Sequence, residues 1–196
     1  MGRIFYIMGK SASGKDKIYG QLLEDETLKL KNMVLYTTRP IRVSEQDGKQ
    51  YYFVDEKKLE ELRAAGRIIE ERTYQTAAGP WTYFTADNVN IDLEHDNYLG
   101  IGTLESYSKL REYYGPGRIV PIYIEVSDEN RMQRAIKREM KQENPNYKEL
   151  CRRFLADCDD FSEEKIAQAG IEKRFDNNGD LADCMGEVEE YIRGML

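Results

Sequence analysis

Gly9-Lys10-Ser11-Ala12-Ser13-Gly14-Lys15-Asp16 lies between an apolar run, Ile4-Phe5-Tyr6-Ile7-Met8, and a stretch of helical periodicity that starts near Lys15. Strand, glycine-rich turn and helix in that order are the setting of a phosphate-binding loop. There, successive backbone N–H groups curl around phosphate oxygens and a lysine reaches the outermost ones. Gly9, Gly14 and Lys15 satisfy the spacing G-x-x-x-x-G-K, and Ser11, Ala12 and Ser13 supply intervening amides. Asp16 stands where a magnesium-binding hydroxyl usually follows the lysine. The plain alternative is a Gly/Ser turn between two elements; the apolar strand before it and the helix expected over 16–23 favour the phosphate loop.

The rest of the composition bounds the answer. A chain of 196 residues holds one core domain with one or two insertions. No apolar run approaches membrane-spanning length, so a soluble globular protein with no membrane partner is expected. The N-terminus has no charged-then-apolar leader, and Cys151, Cys158 and Cys184 are odd in number, which together predict reduced thiols and a cytoplasmic location. Cys151 and Cys158, seven apart on one helix, read as small buried hydrophobes. Unpaired cysteines and a single histidine, His95, argue against zinc. A net charge of −7 argues against a nucleic-acid surface. Local basic clusters persist nonetheless: Arg39 with Arg42, Arg131 with Arg134, Lys137 and Arg138, and Arg152 with Arg153. Each is either solvated surface or part of a convergent site.

In order along the chain, the patterns predict strands over 32–36, 50–54, 67–74 and 81–85, with a helix over 55–65 that Asp55 caps and Gly66 ends. Gly79-Pro80 is expected to break the chain before Trp81. Strand and helix then alternate: strand 98–102, helix 104–113, strand 119–126, helical stretches from 128 to 143 and from 147 to 169, strand 172–175, and a last helix over 181–195 capped by Asp180. Such alternation implies right-handed crossovers and a parallel sheet covered on both faces, with the phosphate loop at its carboxyl edge.

The segment Tyr36-Thr37-Thr38-Arg39-Pro40-Ile41-Arg42-Val43-Ser44-Glu45-Gln46-Asp47-Gly48-Lys49-Gln50-Tyr51-Tyr52-Phe53-Val54 resembles the guanylate kinase family's T-T-R-x-x-R-x-x-E-x-x-G-x-x-Y-x-F. The resemblance implies an α/β fold: a P-loop NTPase three-layer core with a parallel sheet (1–36, 86–130 and 154–196), an inserted mixed α/β monophosphate-binding region (37–85) and a helical lid (131–153). It implies transfer of a phosphoryl group from ATP to GMP with Mg2+, nucleotides being the partners. By this resemblance Arg39, Arg42 and Tyr51 hold the acceptor monophosphate, for which guanidinium forks and a phenol are suited donors. Glu70 accepts from guanine N1–H and the 2-amino group, and Tyr83 and Thr85 stand on the phosphate and near the base. Arg134, Arg138 and Arg153, with Arg152 an alternative to the last, are lid arginines over the phosphates, and Asn178 lies near the donor adenine. Lys15, Arg39, Arg138 and Arg153 are thereby the catalytic set, and Asp16 the candidate magnesium ligand.

The chain departs from the family pattern in three places. Asp16 replaces the loop hydroxyl. Gly100 and Gly102 stand where aspartate is usual, which moves any carboxylate role elsewhere, with Glu105 the nearest candidate. Leu35 replaces a serine that contacts guanine. Two rivals therefore stay open: a kinase of the same fold with a different acceptor, and a catalytically silent binding module of the same fold.

Overall fold

The computed structural model describes residues 2–43, 45–76, 79–87 and 91–196. Met1, Ser44 of the acceptor motif, and Ala77 and Ala78 of the 73–79 stretch lie outside these. In chain order the elements are β1 (Ile4–Met8), α1 (Lys15–Glu24), β2 (Leu30–Asn32), β3 (Leu35–Thr37), β4 (Tyr51–Phe53), α2 (Glu56–Ala64), β5 (Ile68–Thr76), β6 (Gly79–Ala86) and β7 (Asn97–Gly102). They continue with α3 (Leu104–Tyr114), β8 (Ile119–Glu125), α4 (Asp128–Glu139), α5 (Tyr147–Asp160), α6 (Glu163–Gln168), β9 (Arg174–Asp176) and α7 (Leu181–Arg193).

β1 is buried at every position because both faces of its sheet are covered. Ile4, Tyr6 and Met8 point to one side, into a core with Tyr107 and Leu110 of α3 and Ile166 of α6. Phe5 and Ile7 point to the other, against Ile18 and Leu22 of α1 and Val188 and Ile192 of α7. The alternation is the period-2 geometry of a strand; each such side chain removed from water contributes roughly 1.5–3 kcal/mol. The sheet runs β2-β7-β1-β8-β9, all parallel, with β1 central, so its loop emerges at the carboxyl edge. A second sheet, β4-β3-β6-β5, packs Phe84 and Ala86 against Leu59 and Leu62 of α2. Asp55 caps α2 through Lys58 N–H at 2.8 Å, and Asp180 caps α7 through Ala182 N–H at 3.0 Å.

Several expectations are corrected. The strand expected over 32–36 is two: Asn32 pairs with Leu99 in the core sheet, whereas Leu35 pairs with Tyr51 in the second. A short apolar run does not reveal which sheet it serves. The helix expected over 147–169 stops at Asp160, because Phe161 turns inward to stack on Tyr123 and Ser162 caps a new helix. Gly79-Pro80 does not break the chain but begins β6, pairing with Thr76 and Gln75. Cys151 is exposed rather than buried, while Cys184 is buried and all three thiols are free.

Candidate active site

The loop from β1 to α1 turns back on itself, with Ser13 N–H donating to the Lys10 carbonyl at 3.2 Å. Gly14 caps α1 at φ 91° with no side-chain cap, so the first amides of the helix face outward unclaimed by a side chain. A Cβ at Gly14 would lie 2.5 Å from Asn177 Nδ2, and one at Gly9 would lie 2.5 Å from the Ile124 carbonyl oxygen. Ala12 also takes a positive φ of 66°. Lys15 is four-fifths buried and its ammonium lies 3.8 Å from the exposed Asp16 carboxylate. Asn177 Nδ2 donates to the Ser13 carbonyl at 2.7 Å, joining the first loop to the end of β9. Among the described residues, Ser13 Oγ and Asn177 Oδ1 are buried without a hydrogen-bond partner.

On the acceptor side, Arg39 is 4% exposed and lies 5.2 Å from the ring centroids of both Tyr51 and Phe53. Its guanidinium forks onto Glu45, Nη1 to Oε2 at 2.7 Å, and that hydrogen bonding holds the Glu45 carboxyl down at about 2. Glu45 also accepts from Arg42 N–H at 2.9 Å, which bends the motif into a closed turn. Tyr51 and Tyr83 meet edge to face at 5.6 Å. Burial, with Tyr83 adding to it, raises the Tyr51 phenol above its ordinary value, so it stays a donor at neutral pH.

Glu70 is buried behind this surface. Oε1 accepts from Thr85 Oγ1 at 2.8 Å, and Oε2 accepts from Ser106 Oγ at 3.2 Å and from Arg72 Nε at 3.2 Å. The residue that faces outward is Arg72, which the sequence reading did not select.

A cavity of about 960 Å³ connects the two halves, lined by Ser11 on the loop side and by Leu35, Arg42, Tyr51, Arg72 and Tyr83 on the other. Arg153 lines it too, together with Asp157. Arg152 and Arg153 both donate to Glu149 at 2.7 Å and hold that carboxyl down at about 2. Arg138 borders a smaller cavity of about 210 Å³ with Ser11 and Arg153. Arg134 donates to the Asn177 carbonyl at 2.8 Å. Asn178 Oδ1 accepts from Ser127 N–H and Asn130 Nδ2, both at 2.9 Å, tying the end of β9 to the start of α4.

The two glycines of β7 have a steric cause. A Cβ at Gly102 would lie 2.1 Å from Tyr6 Oη, and one at Gly100 would lie 2.7 Å from Tyr6 Cδ2. The tyrosine of the central strand fills the space into which side chains from β7 would project. Glu105 is exposed on the first turn of α3 and borders a cavity of about 390 Å³ that adjoins the larger one at Arg72 and Thr103. No group of three or more metal-ligating side chains exists among the described residues. Asp16 presents an exposed carboxylate beside Lys15. No helix among the described residues is long and apolar enough to cross a membrane.

A glycine-cornered loop and lysine at the carboxyl edge of a parallel sheet, facing an inserted second sheet across one cavity, define a P-loop α/β nucleotide-binding fold. The family model described as guanylate kinase matches residues 1–192, and the chain belongs to the guanylate kinase family. It is 33% identical over 113 residues to a guanylate kinase of Mycoplasma mobile, covering 55% of this chain and 56% of the relative. It is likewise 33% identical over 111 residues to one of Symbiobacterium thermophilum, covering 54% and 52%. The chain thus spans about half the length of the curated relatives it matches. The crystal structure of guanylate kinase from Anaplasma phagocytophilum superposes with a TM-score of 0.67 at 21% identity, covering 99% of this chain and 86% of that one, a likeness of fold.

Proposed function

We propose that this chain transfers the γ-phosphoryl group of ATP to GMP, giving ADP and GDP. The observation that carries the reading is the single cavity bordered by the phosphate loop at Ser11 and by the acceptor-motif residues Arg42 and Tyr51. Phosphoryl transfer asks the protein for positioning and charge stabilisation more than for covalent chemistry. Lys15 and the loop amides from Gly9 to Gly14 hold the donor phosphates. Arg42, Tyr51 and Tyr83 hold the acceptor phosphate, and Arg39 joins them when its fork leaves Glu45. Glu70 and Thr85 stand at the base, and Arg134 and Asn178 on the donor side. Arg138 and Arg153, on the segment 131–153 that serves as a lid over the core, neutralise charge on the group in flight. No general base is required, since a monophosphate oxygen is already anionic at neutral pH. Asp16 would hold magnesium, which when bound would supply charge neutralisation on the donor side. The region 37–85 acts as the monophosphate-binding insertion, and closure over the cavity excludes water as a competing acceptor. The free thiols suit a reducing, cytoplasmic setting.

The test is ADP release across GMP, dGMP, AMP, CMP and UMP, with Lys15→Ala as the loop control. GMP is expected to be preferred and Lys15→Ala to lose activity by orders of magnitude while remaining folded. A preference for another acceptor would replace GMP in this reading, and an active Lys15→Ala would remove the loop from it.

A further inference from the structure

We propose that Arg72 determines base specificity, by donating a hydrogen bond from its guanidinium to O6 of the acceptor guanine. The inference rests on the GMP reading above and goes beyond it. Arg72 and Glu70 are two apart on β5 and so project from the same face of the strand. Only Arg72 of the two borders the 960 Å³ cavity; Glu70, 7% exposed, lies behind it. The guanidinium is held along one side, with Nε on Glu70 Oε2 at 3.2 Å and Nη1 on Thr103 Oγ1 at 3.1 Å. Nη2 has no hydrogen bond among the described residues. An oriented donor at the wall of a ligand-sized cavity is thus left without an acceptor.

Guanine supplies one. Its pairing edge presents N1–H beside the O6 acceptor, and arginine is the side chain whose fork matches guanine O6 and N7. The Glu70 carboxylate already accepts from Thr85, Ser106 and Arg72, which fixes it behind the guanidinium and leaves Arg72 as the group of the pair that meets the cavity. Leu35, on the same cavity, has no polar side-chain atom to meet O6. Without Arg72 that oxygen would be desolvated and unpaired, a costly state. Adenine carries an amino group at this position and would set donor against donor. The competing account makes Arg72 only a counter-ion that fixes Glu70.

The two accounts separate on the atom at position 6. Steady-state kcat/KM is measured for the wild type, Arg72→Met and Arg72→Lys with GMP and with 6-thio-GMP, whose sulfur is a poor acceptor while N1–H and the 2-amino group are retained. Arg72→Met is expected to lower kcat/KM by about 10–100-fold on GMP and less than about threefold on 6-thio-GMP, the size of a good arginine–guanine contact. Arg72→Lys, which keeps the positive charge beside Glu70, is expected to retain the GMP preference in part; it carries the test should the methionine variant melt below assay temperature. Equal losses on both acceptors would assign Arg72 to holding Glu70 alone and overturn the proposal. Failure of the wild type to turn over GMP would overturn the functional reading itself, and the Arg72 assignment with it.

Discussion

The carboxylate of Asp157 accepts a hydrogen bond from the backbone N–H of Ser11 at 2.9 Å, so a side chain of α5 sits on an amide of the phosphate loop. The same oxygen lies 3.2 Å from Arg131 Nη1, whose side chain is 1% exposed, rests on the Phe154 ring at 4.3 Å and also pairs with Asp128 at 3.1 Å. A buried arginine thereby fixes a carboxylate on a loop amide that the proposed function assigns to the donor phosphates. Asp157→Asn removes the competing charge but retains shape. Its expected outcome is ATP binding tightened several-fold, because the fraction of protein with a free loop rises. Melting should fall by a few degrees as Arg131 loses a charged partner, a cost of about 1–3 kcal/mol. Calorimetry with ATP and magnesium checks the first part; unchanged or weaker affinity would show that the carboxylate does not compete.

Gly102 and Gly100 meet different parts of Tyr6, which makes their substitutions separable. The hydroxyl is what a Cβ at 102 would strike, whereas at 100 it is the ring. Gly102→Ala and Gly100→Ala should each destabilise by about 1–3 kcal/mol, the usual cost of overpacking. Tyr6→Phe should relieve the first and leave the second unchanged. Denaturant midpoints of the three single and two double variants decide it.

Asn177 braces the loop from the far end of the chain through its 2.7 Å bond to the Ser13 carbonyl. Asn177→Ala leaves that buried carbonyl without its donor and should cost about 1–3 kcal/mol of stability. ATP affinity is expected to fall with it, since Gly14 rests against the same amide group. Normal ATP affinity in a folded variant would show that the loop keeps its shape unaided.

Acid sensitivity follows from the Arg39–Glu45 fork. Glu45 titrates at about 2 in the folded chain against 4.5 ordinarily, so the unfolded chain binds its proton first. The stabilisation is therefore fully present above about pH 4.5 and is lost as pH falls toward 2. Glu45→Gln should be less stable than wild type at pH 6 by a margin that closes across that window. Urea titrations at stepped pH measure the margin; one that stays constant down to pH 2 would dissociate Glu45 from the acid limb.

The core of this architecture is legible in the sequence because β1, α1, β7 and β8 are long enough for period and position to agree, and the phosphate loop follows from them. Legibility fails where a residue's meaning depends on a distant partner. Nothing near Asn32 and Leu35 says that they belong to different sheets. Tyr6 reads as one more apolar strand residue until its ring is seen across Gly100 and Gly102. The family pattern directs attention to Asn178, while the buried amide against the loop belongs to its neighbour Asn177. Arg72 follows Glu70 in an ordinary polar run, and only the fold shows which of them meets the cavity. The acceptor motif, with its fixed spacing, needed no such partner to be noticed, although the pairing of Arg39 with Glu45 did.

The bond from Asn177 to Ser13 spans 164 residues, and β9, the strand just before Asn177, lies at the edge of the sheet beside β8. During synthesis the loop leaves the ribosome early and waits without its brace until residue 177 has followed.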